Sequence, residues 1–318
     1  MAVGVVLAMG PLLLSAPATS APAPLGAPPG DPDVAELSVV LAAVPEAELA
    51  GLLALVPREP EPEPERERGI AAAAVLAATT AAAVVQGLDL RIAVLDRELG
   101  EWASAGAAAE PTYAASLSKL VVAVDVLDRR TEGLEVGDTD LDLLRRALGP
   151  SDDAAMNALW SRFDGAHAAS RLAGRLGLAA TRDPADPSQW GEMLVSAEDH
   201  LRLYDHVLAM PAPDRDLIMD ALGSAPAVAR DGFAQDFGLL APGLADGAGP
   251  VAAKQGWMCC FAQRYYLHSA GVVGVGSRFV VSLLSTRPRA AGWVDARAGL
   301  DGVARALAAT LAGAIPVG

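Results

Sequence analysis

The spacing of apolar residues changes period along the chain, and each change marks a different kind of element. Leu90 to Asp96 and Glu101 to Ala105 read as two strands joined across Arg97-Glu98-Leu99-Gly100, with a glycine at the turn, and predict a hairpin. From about Ser116 to Leu127 nearly every position is apolar, which predicts a helix buried on most sides. Leu141 to Met219 shows mainly helical spacing, broken by the loop Thr181 to Trp190 with its two prolines and three charged side chains. Strand-like runs follow in quick order at Ala253 to Cys260, Arg264 to Val273 and Arg278 to Thr286, and a helix from Asp295 to Leu311 closes the chain. Strands near both ends therefore flank a helical middle. The pattern predicts an α/β (α+β) architecture: one antiparallel sheet built from distant segments and flanked by helices, with an all-helical subdomain inserted.

Ahead of this region the character differs. Met1 to Ser15 is almost wholly apolar and is followed by Ala16-Pro17-Ala18, a small-x-small pattern, so residues 1–20 read as a signal peptide or leader and the protein as secreted or held in the cell envelope. The first basic residue is Arg58, so a positive n-region is missing, and Gly10-Pro11 breaks a run already too short to span a bilayer. No cysteine follows the segment, which speaks against a lipid-anchored form. Residues 21–68 form an N-terminal extension: Asp33 to Val56 has amphipathic helical spacing, and Pro57-Arg58-Glu59-Pro60-Glu61-Pro62-Glu63-Pro64-Glu65 is an extended acidic linker. Gly69 to Val85 is apolar but built on Ala and Thr, which predicts a packed helix and not a membrane span. The domain itself covers 69–318.

Composition narrows the partners. The chain of 318 residues carries a net charge of −15, and no stretch combines Arg with aromatics, so nucleic acid and anionic membrane surfaces are disfavoured and a small-molecule or peptide-like substrate is expected. A monomer is expected. The two cysteines are neighbours, Cys259-Cys260, which offers neither a disulfide framework nor a zinc spacing; they read as small buried hydrophobes. No metal-ligand spacing or phosphate-cradling loop is present, and no cofactor is expected.

The chemistry sits in the lysines. Of 24 basic residues only two are lysine, and both fall in short motifs, Ser116-Leu117-Ser118-Lys119 and Lys254-Gln255-Gly256. A buried amine can lose its proton near neutral pH, whereas a guanidinium cannot, so a lysine is the residue to keep where a base is needed. Ser116 and Lys119 stand three apart at the start of the buried helix and share a face, so the lysine can activate the serine hydroxyl. Ser151-Asp152-Asp153 lies between the two lysine motifs in chain order; by itself it reads as a helix N-cap. The glycine at 256 would let a ligand approach the strand backbone.

Ser-x-x-Lys, then Ser-x-Asp, then Lys-x-Gly in this order resembles the penicillin-recognising serine hydrolases, the class A β-lactamases and penicillin-binding transpeptidases, over about residues 88–311. The resemblance implies a β-lactamase-like fold without cofactor and an acyl-enzyme formed with a β-lactam or cell-wall peptide amide. It makes Ser116 the nucleophile, Lys119 its base and Ser151 a proton shuttle. Asp153, Lys254, Gln255, Gly256 and Trp257 would bind substrate, with the amides of Ser116 and Trp257 as the oxyanion hole.

Three departures bear on the activity. Asp153 stands where the family prefers Asn, and Gln255 where it has Thr or Ser. The loop before Ser196-Ala197 offers only Asp183, Asp186 and Glu192, none at the family's spacing for a deacylating Glu. Acylation is therefore expected to outpace deacylation. A non-catalytic envelope binding protein on the same fold is the alternative, favoured by the altered motifs and by Trp257-Met258, bulky groups beside the cleft. A histidine-dependent hydrolase has less support, since His167, His200, His206 and His268 read as surface or core residues and no Gly-x-Ser-x-Gly elbow occurs.

Overall fold

The computed structural model describes residues 69–313; the predicted leader at 1–20 and the extension at 21–68 lie outside the described residues. In chain order the described elements are α1 (Ile70–Ala83), β1 (Asp89–Asp96), β2 (Glu101–Ala105), β3 (Thr112–Tyr113), a 3-10 turn (Ala115–Leu117), α2 (Ser118–Thr131) and α3 (Asp138–Leu148). Then come α4 (Asp153–Arg162), α5 (Ala168–Leu176), β4 (Leu194–Val195), α6 (Ala197–Ala209), α7 (Ala212–Gly223) and α8 (Leu244–Ala248). The last are β5 (Val251–Cys259), β6 (Arg264–Val273), β7 (Phe279–Pro288) and α9 (Gly292–Ala312). Among the described residues no helix is long and apolar enough to cross a membrane.

The sheet has the order β2-β1-β7-β6-β5, antiparallel throughout, so the hairpin β1–β2 joins the three late strands across the whole helical insertion. Both faces are covered. Leu90, Ile92 and Val94 of β1 and Val281 and Leu283 of β7 face α1 and α9, while the alternate positions Ala93, Val280 and Leu284 face the helical subdomain. Strands buried on both sides read as nearly continuous apolar runs, which explains why their alternation is weak in the sequence. In α1 the buried positions Ala71, Ala74, Val75, Ala78 and Ala82 keep helical spacing and pack against α9, as the Ala-rich segment predicts.

The buried helix is α2, in which every residue from Ser118 to Asp128 is shielded from solvent. Its charged residues are matched. Asp125 accepts from Arg171 at 2.8 and 2.7 Å and from Arg129 at 3.3 Å, fastening α5 to α2. Asp199 on α6 accepts the amides of Ala179 and Ala180 and the Thr181 hydroxyl, which anchors the start of the 181–190 loop.

The cysteines depart from the expectation. β5 ends at Cys259, so strand alternation does not extend to Cys260, and the Cys259–Cys260 peptide is cis. Cys259 is exposed and Cys260 half-buried, so neither is a core residue.

His268 of β6 is the hub beneath the serine segment. Its Nε2 donates to the Tyr113 carbonyl at 2.9 Å and its Nδ1 accepts the Ser285 amide at 3.1 Å, so only the neutral ring satisfies both. Burial, with a smaller push from His200, lowers its pKa from 6.5 to about 4. Between those values the unfolded chain binds a proton that the native ring refuses, so stability falls as pH drops from 6.5 towards 4, by roughly 3 kcal/mol at most from this ring. Thermal melts across that range are expected to show the loss, and His268→Gln is expected to flatten it.

Candidate active site

The candidate nucleophile stands at a chain bend. Ser116 lies not in α2 but in the 3-10 turn ahead of it, and Ala115 before it has φ +48°, a left-handed conformation for a residue with a Cβ. Ser151 has φ +55°. Non-glycine residues cost about 1 kcal/mol or more in this region and persist where surrounding packing imposes it, as at functional sites. Ser151 is not the cap of α4: Asp152 fills that place, accepting the amides of Ala154 and Ala155, and the Ser151 hydroxyl is left for other partners.

Those partners are the two lysines. Lys119 Nζ lies 3.1 Å from Ser116 Oγ and 2.9 Å from Ser151 Oγ, and donates to the Ser151 carbonyl at 2.8 Å and to Asp153 Oδ1 at 2.6 Å. Lys254 Nζ lies 2.9 Å from Ser151 Oγ and donates to the Gln255 carbonyl at 2.9 Å. The hydrogen bonds thus run unbroken from Ser116 through Lys119 and Ser151 to Lys254. Ser116 is 4% exposed, and Ser151, Lys119 and Lys254 are each 1% exposed, so the relay is shielded from bulk solvent.

Burial sets the proton states. It lowers the Lys119 pKa, against the opposing pull of Asp153. It holds Lys254, which lacks a carboxylate partner of its own and feels the Lys119 charge, well below the usual lysine value. Of the four oxygens around Lys119, the carbonyl and the carboxylate only accept, so two of its N–H bonds are committed to them and the two serine hydroxyls share what remains of the amine.

The remaining expected residues are placed differently. Gln255 points away from the cleft, 1% exposed, its amide on the Phe237 carbonyl and its Oε1 without a hydrogen-bond partner. Alternation along β5 puts Lys254 and Gln255 on opposite faces. Gly256 makes room for the protein's own backbone: a Cβ there would lie 3.0 Å from the Ala114 carbonyl oxygen and 3.2 Å from Leu117 Cγ. The glycine lets the edge strand β5 press against the Ser116 turn. Trp257 stacks on Phe233 at 4.9 Å, and its indole donates to Asp231 Oδ2 at 3.1 Å.

Above the serine turn opens a cleft of about 380 Å³ lined by Ala115, Asp153, Asn157, Ser188, Gln189, Trp190, Gly191, Trp257 and Met258. Two lining residues, Trp190 and Asn157, and one beside the lining, Asp231, are absent from the sequence expectation. Trp190 covers Lys119, its ring centroid 4.9 Å from Nζ, and donates to Asn157 Oδ1 at 2.9 Å. Asn157 follows Asp153 by four residues and so shares its helix face, the one signal by which it could have been found. Asp231 carries no local signal; only the fold brings it to the Trp257 indole. The loop carboxylates stay apart: Asp183 accepts from Ser170 and Asp186 from Ser188, and neither these nor Glu192 line the cleft.

The sheet with its helical insertion is a β-lactamase-like fold. The chain is similar to a β-lactamase from Chitinophaga pinensis, with a TM-score of 0.60 and 15% identity over 76% of this chain and 98% of that one. It is similar also to a class A β-lactamase from Mycobacterium abscessus (TM-score 0.56, 18% identity, 74% of this chain and 97% of that one) and to PBP-A (0.56, 16%, 76% and 96%). No family model matches the chain. In sequence it is 34% identical over 239 residues to the protein named "Putative lipoprotein LppW" of Mycobacterium tuberculosis, covering 73% of this chain and 74% of that relative. The chain belongs to the LppW family.

Proposed function

We propose that this chain is an extracytoplasmic serine hydrolase or acyltransferase that forms an acyl-enzyme at Ser116 with a β-lactam or peptide-like amide and clears it slowly. The observation that carries the reading is the buried relay from Ser116 through Lys119 and Ser151 to Lys254. In acylation Ser116 Oγ attacks the carbonyl carbon as its proton passes to Lys119 Nζ. The amides of Ser116 and Trp257 hold the oxyanion. Ser151 then gives its proton to the leaving nitrogen and is reprotonated from the lysine beside it. Deacylation needs a base for water, and the carboxylate lining the cleft, Asp153, is held on Lys119. In this reading residues 1–20 are the leader, 21–68 a tether and 69–318 the hydrolase domain; the relative's name, which includes the word lipoprotein, supports an envelope location.

A second reading, a non-catalytic binding protein, draws on the shielding of Ser116, which is 4% exposed, and on Trp190 lying over Lys119. One experiment separates the two. The protein is incubated with excess benzylpenicillin or p-nitrophenyl acetate and followed by intact mass, with Ser116→Ala as control. The expected result is a long-lived adduct in the parent chain and none in the variant. Absence of an adduct with both reagents would overturn the acyl-enzyme reading in favour of the binding protein.

A further inference from the structure

We infer that the cleft above the serine turn, which Ala115 lines, selects acyl donors bearing an ammonium group over donors bearing a carboxylate; this rests on the acyl-enzyme reading and narrows its substrate class. The residues lining the cleft include no Lys or Arg, and the ionisable side chain among them is Asp153, which is 54% exposed. The two lysines lie beneath the floor. Lys119 is occupied by Asp153 and the two serines, and Lys254 by Ser151 and the Gln255 carbonyl. Gln255, turned to the Phe237 carbonyl, offers a ligand no donor.

A second carboxylate stands beside the Trp257 wall. Asp231 is exposed, accepts from the Trp257 indole and the Phe233 amide, and acts electrostatically on both lysines. Trp190 and Trp257 add aromatic surface to the lining, and each ring also lies against a lysine, Lys119 Nζ 4.9 Å from Trp190 and Lys254 Nζ 5.7 Å from Trp257. The basic residue next in sequence, Arg230, is exposed and does not line the cleft. Among the described residues lining the cleft, none offers a carboxylate a lysine or arginine, whereas an ammonium finds the exposed side of Asp153, paired on its other side with Lys119, and Asp231 beyond the Trp257 indole.

Three p-nitrophenyl esters of similar chain length test this on the full chain: 6-aminohexanoyl, hexanoyl and the adipic monoester, ending in ammonium, methyl and carboxylate. Acylation forms the bond from Ser116 Oγ to the acyl carbon and breaks the bond to the phenolate oxygen. The serine proton goes to Lys119 and the electron pair leaves on p-nitrophenolate. Adducts are followed by intact mass, with Ser116→Ala subtracting labelling elsewhere. The ammonium ester is expected to label Ser116 about tenfold faster than the carboxylate ester, the neutral ester falling between. Asp231→Asn keeps an acceptor for the indole and is expected to shrink that ratio. Equal rates, or a faster carboxylate ester, overturn the inference and leave the acyl-enzyme reading standing; labelling by none of the three overturns that reading and the inference with it.

Discussion

Replacing Lys119 by arginine is expected to slow acylation of Ser116 by about 10³-fold or more, the scale of a lost general base. The substitution keeps a positive charge opposite Asp153, so the ion pair at 2.6 Å has a successor. It removes the property that matters, because a guanidinium does not give up its proton at any pH the fold survives. Lys119 is 1% exposed and packed among two serines, a carboxylate and the Trp190 ring, so the larger head strains the site. Lys119→Ala, which relieves that strain, serves as the second variant. Rates of adduct formation are read beside circular dichroism and melting temperature. Slow labelling in both variants with the fold retained identifies the amine as the base; undiminished labelling in a folded variant removes Lys119 from the mechanism.

Converting Gln189 to glutamate is expected to turn a trapped acyl group into a slowly hydrolysed one, shortening its lifetime by about 10²-fold. Gln189 lines the cleft, and its side chain holds only the Ser188 hydroxyl, so a carboxylate of nearly the same size can stand there without breaking a buried contact. In the parent chain Asp183 and Asp186 serve their own loop and its neighbour α5, and Asp153 serves Lys119. Mass spectra recorded over hours after removal of excess reagent give the adduct's half-life. A half-life unchanged in Gln189→Glu, with acylation intact, would show that lack of a water-activating carboxylate is not what holds the acyl group.

The order of elements was legible without coordinates, because periodicity reports which face of each element is apolar, and that is a local property. The hairpin, the buried helix after Ser116, the broken helical middle and the three late strands all appear within a few residues of their predicted limits. The segment Ser118 to Asp128 is apolar on nearly every side because it is buried on nearly every side. Where neighbours reach across the chain, local pattern was a poor guide. The Cys259–Cys260 pair reads as small buried hydrophobes, yet the strand ends between them and leaves Cys259 exposed and Cys260 half-buried. The glycine at 256 suggests room for a ligand, and that room is taken by Ala114 and Leu117 at the serine turn.

By itself the sequence determined the α+β class, the pairing of Ser116 with Lys119 through helical spacing, and the presence of two lysines in a chain that otherwise uses arginine. Tertiary structure alone decided that Ser151 joins the two amines instead of capping its helix. It also turned Gln255 away from the cleft and placed Trp190, Asn157 and Asp231 around the site. The reason is distance along the chain: Lys254 meets Ser151 across 103 residues and Trp257 meets Asp231 across 26, and no periodic pattern carries information over such separations. Desolvation, which pulls the pKa of both lysines below the ordinary lysine value, likewise exists only once the sheet and the helical subdomain close over them.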